Sequence, residues 1–144
     1  MPYDERLVAP MREELTRIGF KEMRTAQEVD NVLGKEKGTI LVVVNSVCGC
    51  AAGMARPGIA LALHNKNLPD HLTTVFAGQD IEATAKARSY FGDIPPSSPS
   101  MALFQGGNIV WFLPRHQIEG RTADQVANNL VQAFEKFCAK VTVA

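Results

Sequence analysis

Thr39-Ile40-Leu41-Val42-Val43-Val44-Asn45-Ser46-Val47-Cys48-Gly49-Cys50-Ala51-Ala52-Gly53 is the stretch that decides the fold of this chain. Its first part is an unbroken aliphatic run, which suits a strand buried on both faces in the middle of a parallel sheet. After Gly53 the pattern changes to Met54, Ile59, Leu61 and Leu63 among alanines, as in a helix packed on that sheet. Gly53 is expected to let this helix approach its neighbours. Cys48 and Cys50 therefore fall at a strand-to-helix turn, where free backbone N–H groups and the helix dipole stabilise a thiolate. The spacing predicts that Cys48 titrates below the free-thiol value of about 8.5. It also predicts a more exposed sulfur for Cys48, in the turn, than for Cys50, in the first helical turn.

Upstream, Leu7, Met11, Leu15 and Ile18 fall on one helical face, with Pro10 in the first turn and Gly19 as a stop. Arg12, Glu13, Glu14 and Arg17 make the opposite, polar face. Phe20 to Arg24 alternates apolar and polar residues like a short edge strand, and Thr25 and Glu28 have capping-box spacing before Val29, Val32 and Leu33. Strand, helix and the buried strand make a βαβ unit.

Downstream, Asn65 to Asp70 is a turn cluster and Leu72 to Ala77 a further strand. Ile81 to Phe91 reads as a helix, and prolines 95, 96 and 99 exclude helix after it. Met101–Phe104 and Ile109–Leu113 flank Gln105-Gly106-Gly107-Asn108, a hairpin signature. A last helix starts near Thr122 with a second capping-box spacing and buries Val126, Leu130, Phe134 and Phe137.

A chain of 144 residues, 46% hydrophobic and 21% charged, is sized for one α/β domain spanning 1–144. Fifteen basic and fifteen acidic residues cancel, so there is no electrostatic footprint for nucleic acid or an anionic membrane. Residues Met1 to Arg6 lack the layout of a signal peptide, and no apolar run approaches membrane-spanning length. The expectation is a cytoplasmic protein. A close cysteine pair in a reducing compartment points to redox chemistry or metal binding rather than a disulfide scaffold.

The element order, with a cysteine pair after the second strand and Ser98-Pro99 before the hairpin, resembles the thioredoxin fold with an extra N-terminal helix. Val44 to Gly53, Val75 to Asp80, Ser98-Pro99-Ser100 and His116 to Arg121 further resemble the bacilliredoxins, the CGC-motif branch of thioredoxin-like proteins. The resemblance runs from Tyr3 to about Cys138. It implies a thiol–disulfide oxidoreductase that removes bacillithiol from protein mixed disulfides, with Cys48 attacking and Cys50 as its partner. Pro99 is implied as the cis-proline facing them; Pro99, Ser98, Asn45 and Ser46 are expected to contact substrate, with Asn45 and Ser46 read equally as residues that form the turn or hydrogen-bond the thiolate. No bound cofactor is implied; bacillithiol is a co-substrate. The implied partners are S-bacillithiolated proteins and, for recycling, free bacillithiol or a bacillithiol-disulfide reductase. The chain departs from thioredoxins in having one residue between the cysteines, and Val42 where thioredoxins bury an acid.

The spacing carries an argument of its own. A disulfide closed across one residue makes a small strained ring. A few kcal/mol of strain raises the potential of such a pair by roughly 60–100 mV, although Gly49 relieves part of it. That disfavours a general reductant and suits exchange through a mixed disulfide on Cys48.

Other readings stay open. The alternatives are a general protein disulfide isomerase and a non-enzymatic thiol or metal-binding module, since Cu(I) takes thiolates. A closed zinc site wants four ligands, and no second ligand pair has metal-site spacing, so no metal ligand is assigned. Cys138, beside Phe134 and Phe137, is expected in the core. His64, His71 and His116 have no mutual spacing that unites them, Trp111 and Phe112 are read as packing residues, and Arg56 as either a cation near Cys48 or a solvated side chain.

Overall fold

The computed structural model describes residues 2–139, so the ends of the expected 1–144 domain lie outside the described residues. The run Thr39–Asn45 forms strand β2, with every residue buried. Side chains alternate across a strand, and both faces here are covered. Ile40, Val42 and Val44 join one core cluster with Val29 and Val32 of helix α2 (Ala26–Leu33) and Ala83 and Ala87 of helix α4 (Ile81–Ser89). Leu41 and Val43 join the other, with Leu15 of helix α1 (Glu5–Thr16), Ile59 of helix α3 (Arg56–Ala62) and Leu130 and Phe134 of helix α5 (Ala123–Phe137). The result is a sheet between two helical layers.

The five-stranded sheet has the order β1-β3-β2-β4-β5, where β1 is Lys21–Glu22, β3 is His71–Phe76, β4 is Ser100–Gln105 and β5 is Asn108–Leu113. β3 lies between β1 and β2 and is parallel to both, whereas β4 is antiparallel to β2 and to β5. The edge strand, both capping positions and the Gly106-Gly107 hairpin fall where the sequence places them. Thr25 Oγ1 accepts from Glu28 N–H at 3.1 Å, and the Thr122–Gln125 capping box is complete in both directions.

Helix α1 differs from the sequence reading. It begins at Glu5 with Asp4 as its cap, so Pro10 sits in the second turn. Leu7 is 52% exposed, while Val8, Leu15 and Arg12 are buried. Arg12 turns inward because its charge is matched there: Asp80 accepts from it at 2.6 and 3.0 Å and Glu5 at 2.8 Å, and its guanidinium lies 5.3 Å from the Phe76 ring centre. Burial opposes the Arg12 charge most strongly, but the Asp80 and Glu5 carboxylates outweigh it and hold the guanidinium more firmly protonated than usual.

The close helix approach also moves. A Cβ on Gly53 meets nothing within 4 Å, whereas one on Gly58 falls 2.7 Å from Val126 Cγ1 and 2.9 Å from the Ala123 carbonyl oxygen. Gly58, not Gly53, lets α3 lie against α5.

Candidate active site

β2 delivers the chain to Asn45, which is 2% exposed and hydrogen-bonded through both its amide oxygen and its amide nitrogen. Its Oδ1 accepts from Ser46 N–H and from Arg56 Nη1, each at 2.9 Å, and its Nδ2 donates to the Met11 carbonyl at 3.2 Å. Arg56 donates as well to the Ser46 carbonyl at 2.9 Å. The Glu14 carboxylate lies 3.1 Å from Arg56 Nε, close enough for ion pairing but out of line for a hydrogen bond. Arg56 is therefore neither solvated nor aimed at the thiols; it is a buried clamp on the turn before Cys48.

The Cys48 carbonyl accepts from Ala51 N–H at 3.0 Å and Ala52 N–H at 3.2 Å, so the helix starts at this residue. The helix runs through a π turn, Ala51–Ala55, into α3, with Arg56 N–H bonded to the Ala51 carbonyl. Pro57, at the start of α3, has no N–H and would press its ring on the carbonyl four residues back in a regular helix; widening the preceding turn accommodates it.

The Cys48 and Cys50 sulfurs lie 2.7 Å apart, with Cys48 partly exposed and Cys50 buried. Burial is the largest single influence on the Cys48 thiol and pushes it up. Hydrogen bonds from the Cys50 thiol, the Ser46 hydroxyl and the Ala51 and Cys50 backbone amides together prevail and bring Cys48 below its ordinary value. Burial and the neighbouring Cys48 thiolate push Cys50 up. One sulfur is set to be the thiolate and the other to hold the proton.

Cys48 opens on a cavity of about 300 Å³ lined also by Tyr3, Ser46, Arg88, Ser98 and Arg115. The Ser98–Pro99 bond is cis. Of the residues expected to contact substrate, Ser46 and Ser98 line this cavity, whereas Asn45 and Pro99 are buried and do not. Arg88 and Arg115 were not legible as site residues, since no local spacing relates them to Cys48. Val42 is wholly buried in the α2–α4 core, so no carboxylate occupies its place.

None of the histidines lines the cavity. His71 lies near the Lys37 carbonyl, at the opposite end of β2, and His116 lines a separate apolar hollow with Ile94 and Phe112. Trp111 packs partly buried on the α5 side and Phe112 meets Phe91 edge-on at 5.7 Å. Cys138 is buried in the same core as Leu130 and Phe134, and that burial pushes its thiol up. No group of three or more His, Cys, Asp or Glu side chains suited to a metal occurs among the described residues.

Two solved thioredoxins share this architecture. A mutant thioredoxin from Halobacterium salinarum superposes with a TM-score of 0.54 at 18% identity, covering 84% of this chain and 92% of its own. The reduced thioredoxin pre-protein of Schistosoma mansoni gives 0.52 at 16% identity, covering 78% and 95%. The fold is thioredoxin-like, with a cysteine pair at the head of its helix.

The family is narrower. A family model described as disulphide isomerase matches residues 3–138. A bacilliredoxin of Bacillus cereus is 58% identical over 137 residues, covering 94% of this chain and 95% of the relative. Those of Geobacillus kaustophilus and Shouchella clausii are 55% and 52% identical, the latter over 97% and 99% of the two chains. The chain belongs to the bacilliredoxin family.

Proposed function

We propose that this protein removes bacillithiol from protein mixed disulfides. The observation that supports this most is the division of labour between the two cysteines: Cys48 faces an open cavity with a lowered pKa, and Cys50 lies buried within sulfur contact. In the first step the Cys48 thiolate attacks the bacillithiol sulfur. The protein–bacillithiol bond breaks, a Cys48–bacillithiol disulfide forms, and the protein thiolate leaves and takes a proton from solvent. In the second, Cys50, once deprotonated, attacks Cys48, and bacillithiol leaves as the thiolate. Two molecules of bacillithiol return the Cys48–Cys50 disulfide to two thiols and leave as bacillithiol disulfide, which a bacillithiol-disulfide reductase returns to the thiol.

Val42 puts no carboxylate at that buried position to take the Cys50 proton, so the proton passes to solvent as the pair opens. S-bacillithiolated proteins of the cytoplasm are the proposed partners. No helix among the described residues is long and apolar enough to cross a membrane.

The family model's description favours a second reading, isomerisation of protein disulfides. Intact masses of both partners after mixing with a bacillithiolated protein separate the two. Appearance of one bacillithiol on Cys48 in the Cys50→Ser protein supports thiol removal; a protein–protein mixed disulfide as the sole adduct defeats it. Stoichiometric copper or zinc in protein purified under reducing conditions would instead support a metal-binding module.

A further inference from the structure

Two guanidiniums line the cavity beside Cys48, and one of them has no counter-charge among the described residues. Arg88 Nη2 donates to the Ser97 carbonyl at 3.3 Å and Arg115 Nη1 to the Ser98 carbonyl at 3.3 Å, so the two guanidiniums flank one short segment at the cavity wall. Arg115 is paired with Glu119 at 3.0 Å. Arg88 has no ion-pair partner among the described residues, and its buried Nε has no hydrogen-bond partner among them. No Asp or Glu lines the cavity. A partly buried cation without a counter-charge is unfavourable unless something negative arrives to satisfy it.

We propose that Arg88 and Arg115 form an anion subsite beside Cys48 that holds a carboxylate of the low-molecular-weight thiol. This rests on the thiol-removal reading above and adds to it the choice of sulfur. Attack on a mixed disulfide can fall on either sulfur, and only attack on the small thiol's sulfur frees the protein. A carboxylate held by the arginines keeps the small thiol in the cavity with its own sulfur toward Cys48. The new bond then forms between Cys48 and the small thiol, and the protein thiolate is the leaving group. Arg fits this role because its planar fork pairs a carboxylate through two hydrogen bonds.

Iodoacetate and iodoacetamide test the subsite itself, since they are nearly equal in size, differ in charge and alkylate the same thiolate with loss of iodide. In the Cys50→Ser protein, with the modified residue located by peptide mass, the iodoacetate-to-iodoacetamide rate ratio at Cys48 is expected to exceed that of free cysteine by roughly 10-fold, the worth of a charge-assisted hydrogen bond. Arg88→Gln and Arg115→Gln should each lower the ratio, and Arg88→Lys should retain part of it. Lys37→Gln, at the far end of β2, should leave it unchanged. The ratio cancels any change in thiolate fraction, which alters both rates alike. A ratio equal to that of free cysteine, or one unmoved by both arginine substitutions, overturns the subsite.

Mixed disulfides of a carrier protein with 3-mercaptopropionate and with 2-mercaptoethanol then test the occupant. Faster transfer of the anionic thiol to Cys48, lost in the arginine variants, supports the assignment. Equal transfer of both thiols overturns it. Failure of both to transfer, with the alkylation preference intact, overturns the thiol-removal reading and the assigned occupant while the anion subsite stands.

Discussion

Cys48 and Cys50 have their sulfurs 2.7 Å apart, yet only Cys48 lines the open cavity. One residue of separation thus places two thiols in different environments, because the helix begins at the first and carries the second inward. Attack on an incoming disulfide depends on access and thiolate fraction, and both favour Cys48.

Cys48→Ser is expected to abolish transfer of bacillithiol from a protein substrate. Cys50→Ser should retain the first transfer and accumulate the Cys48 adduct, because the resolving thiol is gone. Cys138→Ser, in the core, should keep transfer. Intact mass and peptide mapping read all three, and an active Cys48→Ser protein with the adduct on Cys50 would reverse the assignment.

The pH dependence of Cys48 alkylation should show a midpoint below the free-thiol value of about 8.5. Cys50→Ala removes a thiol that hydrogen-bonds the thiolate and should move this midpoint upward. The sign for stability follows: a thiol whose folded pKa lies below its unfolded one stabilises the fold above the unfolded pKa. That contribution is lost as pH falls through the lowered value. A midpoint at or above that of a free thiol would mean that burial prevails over the helix-end amides.

Arg56→Met removes the clamp on Asn45 and Ser46. Two hydrogen bonds from a charged donor are lost and the Asn45 and Ser46 oxygens lose a partner, so destabilisation of about 2–3 kcal/mol is expected. Urea unfolding measures it. A midpoint equal to that of the parent protein would show that the turn holds without the guanidinium.

Gly58→Ala should destabilise by about 1–3 kcal/mol, since its Cβ meets Val126 and the Ala123 carbonyl inside 3 Å. Gly53→Ala, with open space around the added carbon, should be neutral or gain up to about 1 kcal/mol from helix propensity. Thermal unfolding of the pair distinguishes them, and equal losses for both would contradict the placement of the α3–α5 contact.

The sequence by itself determined what depends on near neighbours. The aliphatic run Ile40 to Val44 implied a strand covered on both faces, and the cysteines shortly after it implied a thiol at a helix start. The Thr25 and Thr122 caps and the Gly106-Gly107 turn were legible because their hydrogen bonds join residues a few positions apart. Tertiary structure alone decided the rest. Arg12 looked like a surface residue because the carboxylate that draws it inward, Asp80, is 68 positions away. Gly58 was hidden because its contact, Val126, lies on another helix, and Arg88 and Arg115 joined Cys48 only when α4 and the segment after β5 closed around the end of β2. Local periodicity reports which face of an element is apolar, but a buried charge is settled by what waits for it across the fold.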